Sequence, residues 1–295
     1  MNKRLAGAHL TIDLGALQAN YRLLADKAAP AECAASVKAD AYGLGIEAVG
    51  PALYAAGCRR FFVALPDEGI TLRRLLPDVI IHILAGPLPE AEEIYLEHRL
   101  VPVLNSLADI NRWAGFAAAK GKTLAALLHI DTGMTRLGLP EAEIQALAAD
   151  PAPLKHLRIH FVMSHLAAAD QLEHPMSAEQ RNRLLALRRL LPPPLDSAPL
   201  SLANSAGVFL GPDYHFDMVR PGIALYGGRA AAAGENPMAP VVTLEARVLQ
   251  VLEVGPDNTV GYGAVGHLDK PGRVATVSVG YADGLLRAAG ESPEK

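Results

Sequence analysis

The stretch AASVKADAYGLG, Ala34 to Gly45, sets Lys38 among small apolar residues and follows it with Tyr42 and two glycines. An amine held among apolar side chains loses part of its preference for the charged form, and the neutral amine can add to a carbonyl carbon. The plainer reading is a strand-end lysine whose stem lies along apolar neighbours with its head in water. Other groups able to do chemistry are Arg136 in DTGMTR, His165 in VMSH, Asn204 and Ser205 in LANSAG, and Arg220 in VRPG. Taken singly, His165 reads as a hydrogen-bonded strand-end residue, Ser205 as a helix cap and Arg136 as a solvated loop residue. The Ser205 hydroxyl and the backbone around Gly222 and Ile223 suit a phosphate, because glycine lets an anion approach main-chain amides closely. A lysine opposite a phosphate site points to a Schiff-base aldolase or to pyridoxal phosphate held as an imine.

Those residues become a site only if the fold gathers them. After Asp13, an expected N-cap for a helix through ALQANYRLLADKA, apolar runs alternate with amphipathic runs of about three turns. The apolar runs fall at 33 to 38, 61 to 65, 79 to 84, 100 to 104, 124 to 131, 157 to 165, 200 to 204 and 216 to 220. Eight strands each followed by a helix predict a (β/α)8 TIM-type barrel, an α/β fold. A doubly wound sheet is the alternative, but the G-x-G-x-x-G turn after its first strand is absent. In a barrel the chemistry sits at the C-terminal strand ends, and that is where all the residues named above fall. Near GGRAAAAGENPMAP, 227 to 240, the alternation stops and the stretch reads as a linker; VVTLEARVLQVLEV and GRVATVSVGYADG beyond it are β-rich. The expected organisation is a barrel over 1–235 and a partial, mainly β domain over 236–295.

The 295 residues are 51% hydrophobic and 20% charged, enough to bury a large core. A net charge of -4 from 27 basic and 31 acidic residues, well mixed, argues against a nucleic-acid partner. The N-terminal MNKRLAGAHLTIDL is broken by polar residues before a signal-peptide core forms, and no apolar run reaches membrane-span length. Two cysteines, Cys33 and Cys58, lack metal-ligand spacing and read as buried thiols of a cytoplasmic protein.

In order and spacing, SVKADAYGLG, DTGMTRLG, LANSAG, VRPGIALYG, GYGA and VGYADG resemble the motifs of the alanine racemase family. The resemblance runs from about Leu10 to the end of the chain. It implies pyridoxal 5'-phosphate as cofactor, alanine as substrate, and a cytoplasmic homodimer feeding D-alanine to peptidoglycan precursors. By resemblance, Lys38 holds the cofactor as an aldimine and serves as one of two catalytic bases, while Tyr262 is the second, donated across the dimer interface. Tyr42, Ser205, Gly222 and Ile223 match phosphate-contacting positions, with Asn204 beside them. Arg220 matches the arginine facing the pyridine nitrogen, and His165 the histidine linked to it. Arg136 matches the binder of the substrate carboxylate, and Tyr281 a motif at the shared entrance. No metal is implied.

The chain departs from the family at two places. His129 stands where the family commonly has a lysine carrying a carbamate; a neutral histidine can accept a hydrogen bond from Arg136 but holds no such negative charge. The family also continues beyond GYADGLLRAAGESPEK, through a Met-Asp pair and a further tyrosine. The alternative expectation is therefore a catalytically impaired, cofactor-binding remnant. A second binding-only class, a single-barrel vitamin carrier, is disfavoured by the presence of Tyr262.

Overall fold

The computed structural model describes residues 5–232 and 234–286. The chain divides into two units, Asp13–Val241 and Met1–Ile12 together with Val242–Lys295.

The larger unit is a parallel barrel. Strand β1 (Ala8–Ile12) belongs to the smaller unit, so the barrel begins at β2 (Glu32–Cys33) and β3 (Ala35–Ser36), two halves of one strand flanking Ala34. It continues through β4 (Arg60–Val63), β5 (Ile80–Ile83), β6 (Leu100–Leu104), β7 (Leu124–His129), β8 (Leu157–Met163), β9 (Leu200–Ser201) and β10 (Met218–Val219). The ring closes because the first strand pairs on both sides: Glu32 and Cys33 align with Met218 and Val219, and Ala35 with Phe61. All eight apolar runs of the sequence are barrel strands. Their inward side chains pack a dry interior that includes Ala34, Phe62, Val103, Leu127 and Met163.

The outer helices follow from local sequence. Asp13 caps the helix Leu14–Ala28 by accepting from the Ala16 amide at 2.9 Å, and Leu17, Tyr21, Leu24 and Ala28 form its buried stripe. Ser106 caps Leu107–Ala119 in the same way, and Trp113 on that helix donates to Ala125 O at 3.1 Å. The last two strands are followed by short 3₁₀ turns, Gly207–Phe209 and Pro212–Tyr214 after β9 and Ile223–Tyr226 after β10. Cys33 and Cys58 are free and buried.

The Gly/Ala/Pro-rich stretch read as a linker is tied to the barrel. Asn20, buried on the first helix, donates to Ala239 O at 2.9 Å and accepts from Ala239 N at 2.8 Å, and Met238 and Val241 are buried. This unit therefore runs to Val241, six residues past the boundary expected at 235.

In the smaller unit, β1 pairs antiparallel with β11 (Val242–Ala246), Ala8 opposite Ala246 and Ile12 opposite Val242. Strand β12 (Val248–Val254) pairs antiparallel with β13 (Gly272–Val277). The first residues of the chain, expected in the barrel, thus lie in the β unit.

Candidate active site

Lys38 emerges from a dry strand end. Ala34, Ala35 and Val37 are 0% exposed, and the lysine itself is half-buried. Burial pulls its amine below the ordinary lysine value; the Arg136 charge adds to this, and Glu68 opposes it. The chain then makes a turn of left-handed helix, with φ of 53, 51, 54 and 58° at Ala39, Asp40, Ala41 and Tyr42. Such geometry costs L-residues about 1–2 kcal/mol each. Gly43, at φ 83°, and Gly45, at φ 90°, release the chain from the turn, and Asp40 Oδ1 accepts from Ile46 N at 2.7 Å. The tight turn throws the Tyr42 ring back toward the barrel mouth. There it lies 4.7 Å, centroid to centroid, from Tyr226, whose hydroxyl donates to Ser36 O at 3.0 Å.

A second cluster forms after β9 and β10. Ser205 Oγ accepts from Gly222 N at 2.8 Å and Ala224 N at 3.1 Å, leaving the Ile223 amide as the one of the three that it does not take. A methyl group on Gly222 would collide with the Tyr42 hydroxyl, so this position requires glycine. Burial raises the Tyr42 phenol above its ordinary value, which keeps it a donor. The capping role open to Ser205 belongs to its neighbour. Asn204 Oδ1 accepts from Gly207 N at 3.0 Å and its Nδ2 donates to Leu166 O at 3.2 Å, which fixes the loop.

Arg220 is buried beneath these groups. It donates to Ser201 Oγ, to Ser164 O at 2.6 Å and to His165 Nδ1 at 3.4 Å, all neutral partners. Burial lowers its pKa to about 10, so it stays charged at neutral pH. Because Arg220 only donates, His165 takes the bond on a bare Nδ1 and carries its proton on Nε2. Burial first, and the Arg220 charge second, hold His165 well below the usual imidazole value. His129 has the opposite tautomer. The Asn105 amide nitrogen donates to Leu84 O at 3.0 Å and Val103 O at 3.1 Å, so its Oδ1, 2.8 Å from His129 Nδ1, accepts. Burial and Arg220 push His129 down to about 3, leaving a neutral ring with a free acceptor at Nε2.

A cavity of about 540 Å³ gathers most of these residues. Lys38, Tyr42, Arg136, His165, Asn204, Ser205, Arg220, Gly222 and Ile223 all border it, as does His129. Arg136 rides on a loop folded around Asp131, whose Oδ1 accepts from Gly133 N at 2.9 Å and Thr135 N at 3.0 Å. Tyr262 and Tyr281 lie in the β unit, where they are 86% and 66% exposed.

Three supporting residues were not read from the sequence. Asn105 orients His129, and Glu68 binds the backbone beside Lys38. Gln180, fully buried, accepts from Ala167 N at 2.9 Å and donates to His165 O at 2.9 Å and Thr132 Oγ1 at 3.2 Å. Only Glu68 had a local signal, a glutamate at the third position of a helix opening on Pro66.

The same architecture and motifs recur in known proteins. The family model described as alanine racemase, N-terminal domain, matches residues 12–230, and that described as alanine racemase, C-terminal domain, matches residues 241–294. The alanine racemase of Rhodospirillum rubrum is 48% identical over 287 residues, 97% of this chain and 76% of its own length. A protein of Agrobacterium fabrum named as a catabolic alanine racemase is 48% identical over 284 residues, 96% of this chain and 72% of its own. The crystal structure of alanine racemase from Bartonella henselae, with covalently bound pyridoxal phosphate, superposes with a TM-score of 0.88 at 42% identity. That match covers 96% of this chain and 78% of the other. With both units matched and nearly half the residues identical over almost its whole length, the chain belongs to the alanine racemase family.

Proposed function

We infer that the chain is an alanine racemase, an isomerase that interconverts L-alanine and D-alanine with pyridoxal phosphate as cofactor. The observation that carries this reading is the convergence of the Lys38 amine, the Ser205 and Tyr42 cluster and buried Arg220 on one cavity.

The residues present fit the cofactor. Among the described residues, Lys38, Arg136, Arg220 and Arg229 border the cavity against one carboxylate, that of Asp170, and Arg220 is bonded to neutral atoms alone, so a phosphate and a carboxylate supply matching charge. The Tyr42 hydroxyl, which the absence of a Cβ on Gly222 lets approach, the Ser205 hydroxyl and the Ile223 amide would hold the phosphate. Lys38, its amine favoured by burial, is the residue to bond the cofactor's aldehyde carbon.

When bound, pyridoxal phosphate draws electrons from the substrate Cα through the nitrogen it shares with the amino acid and so makes the Cα proton acidic. Racemisation then requires one proton to leave one face of Cα and one to arrive at the other, with no net change in atoms or electrons. Lys38 Nζ handles the proton on one face. Tyr262 handles it on the opposite face. Arg136 pairs with the substrate carboxylate and fixes its register, with His129 Nε2 as an acceptor on the same cavity wall. Arg220, which stays protonated, would keep its proton rather than pass it to the ring nitrogen of a cofactor held in the cavity. This limits negative charge in the ring and restrains side reactions such as transamination.

A tyrosine has a reference pKa of about 10, so its phenolate needs stabilising. Arg220 donating to His165 Nδ1 leaves the His165 Nε2–H free to donate to Tyr262, which favours the anion. We place Tyr262 at the cavity of a second subunit, in a homodimer in which each β unit serves its partner, with Tyr281 at the shared entrance. The exposure of Tyr262, and of Leu249 and Val251 on β12, supports such an interface. No helix among the described residues is long and apolar enough to cross a membrane. Cytoplasmic residence and a supply of D-alanine to cell-wall synthesis complete the proposal.

Borohydride reduction of the cofactor-loaded protein followed by peptide mapping should place the cofactor on Lys38, and Lys38→Ala should neither trap it nor racemise alanine. A label on any other lysine would refute the assignment.

A further inference from the structure

The Glu68 carboxylate lies between two barrel strand ends and bonds to both. Its Oε2 accepts from Ala64 N at 2.7 Å and Leu65 N at 3.1 Å, at the end of β4, where it caps the helix Pro66–Leu75. Its Oε1 accepts from Asp40 N at 3.0 Å, the second residue of the left-handed turn. A helix cap needs only the first pair of bonds. The third ties a strained turn to the neighbouring strand, and that turn has Lys38 at one end and Tyr42 at the other. Four successive L-residues at positive φ persist only where the surroundings over-determine them. Val37 N donates to Phe62 O at 2.9 Å and ties the start of the turn to β4, and the bonds from Ala41 N to Val37 O and Gly43 N to Ala39 O hold its shape; beyond Val37, among the described residues, the bond from Asp40 N to Glu68 is the one that joins the turn's own backbone to the β4 end.

We propose that Glu68 is a positioning residue for the cofactor site, a single carboxylate that clamps the Lys38–Tyr42 turn to the end of β4 and so sets the amine and the phosphate-side hydroxyl at a fixed separation. This rests on the reading of Lys38 and Tyr42 as cofactor-binding residues. The carboxylate also supplies the negative charge that opposes the lowering of the Lys38 amine by burial. Glu68 thus has two separable effects, a tether through Asp40 N and a charge near Nζ.

Two substitutions separate these effects in the 295-residue chain. Glu68→Asp keeps the charge and can still cap the helix, but it is one methylene too short to reach Asp40 N. Glu68→Gln keeps the length but loses the charge, and its single amide oxygen cannot serve both strand ends. Without cofactor, Asp40 amide exchange and the pH midpoint for acylation of Lys38, mapped by peptide, read the tether and the charge directly. In the unsubstituted chain the Asp40 amide should exchange at least about tenfold more slowly than in an unstructured peptide. Glu68→Asp should abolish that protection and weaken pyridoxal phosphate binding about tenfold, while leaving the acylation midpoint in place. Glu68→Gln should move the midpoint to lower pH, raising Lys38 acylation at pH 7 about threefold, and should also weaken cofactor binding. An unprotected Asp40 amide in the unsubstituted chain would overturn the proposal with no substitution required. Unchanged cofactor affinity in a folded Glu68→Asp chain that has lost Asp40 protection would overturn it as well. If the cofactor instead resides on another lysine, the two cofactor-free readouts still respond to substitution while peptide mapping finds the label elsewhere, which separates failure of the underlying site assignment from failure of the clamp.

Discussion

Among the described residues, Arg220 has no carboxylate partner, and its buried charge adds to the effect of burial on both histidines around it. His165 and His129 are each held neutral by burial and by the Arg220 guanidinium. For His129 the consequence is measurable. The unfolded imidazole takes up a proton near pH 6.5 and the folded one near pH 3. Between those values the unfolded chain binds more protons, so stability is intact above the window and falls as pH drops through it. Asp131 and Arg136 on its own loop, and Arg220 and His165 across the cavity, are the charged or titratable neighbours. At pH 4.5 this one residue should cost about 2–3 kcal/mol relative to pH 7. Chemical denaturation at the two pH values should show a weaker acid dependence in His129→Gln; equal dependence would contradict the assignment. At this scale Lys38 was legible because its apolar flanks are contiguous in sequence. The bond of Glu68 to Asp40 N was not, because a helix-start glutamate announces only its own cap. Gln180 was illegible for a related reason: its partners Thr132, His165 and Ala167 lie 13 to 48 residues away.

The elements were legible wherever apolar runs and caps are local. Eight runs gave eight strands, and Asp13 caps the first helix as its position before LGALQ suggests. The pairing of β1 with β11 joins residues more than 200 positions apart, and no local pattern marks such a partner. The tie from Asn20 to Ala239, equally remote, is why a stretch with the composition of a linker is anchored to the barrel near its end. The loops that carry the site are held by similar long-range bonds. Gln180, on the helix Met176–Arg188, joins the loop after β7, which bears Arg136, to the loop after β8, which bears His165. Gln180→Ala removes the acceptor of the Ala167 amide and the donor to His165 O and Thr132 Oγ1, frees both loops, and should destabilise the fold by about 2–3 kcal/mol through the three lost bonds. Because Arg136 loses its register, KM for alanine should rise more than kcat falls. Denaturant titration and steady-state kinetics check both; an unchanged KM would place Gln180 outside the site's support.

On the scale of the whole molecule, the two proposed bases belong to different units. The barrel unit holds Lys38 and the cofactor-side residues, and the β unit holds Tyr262. Two opposed bases are what separate racemisation from simple proton exchange at Cα, since one base alone can remove a proton and return it only on its own side. Lys38 borders the barrel cavity whatever residue stands at 262, so removing the tyrosine hydroxyl should spare exchange and stop inversion. The decisive measurement follows D-alanine in D2O with the cofactor-loaded chain and its Tyr262→Phe variant, monitoring deuterium at Cα and the formation of L-alanine separately. The unsubstituted chain should yield L-alanine deuterated at Cα. The Tyr262→Phe variant should still wash deuterium into D-alanine while L-alanine formation falls by at least about a hundredfold. L-alanine formation by Tyr262→Phe at the unsubstituted rate would contradict the two-base assignment.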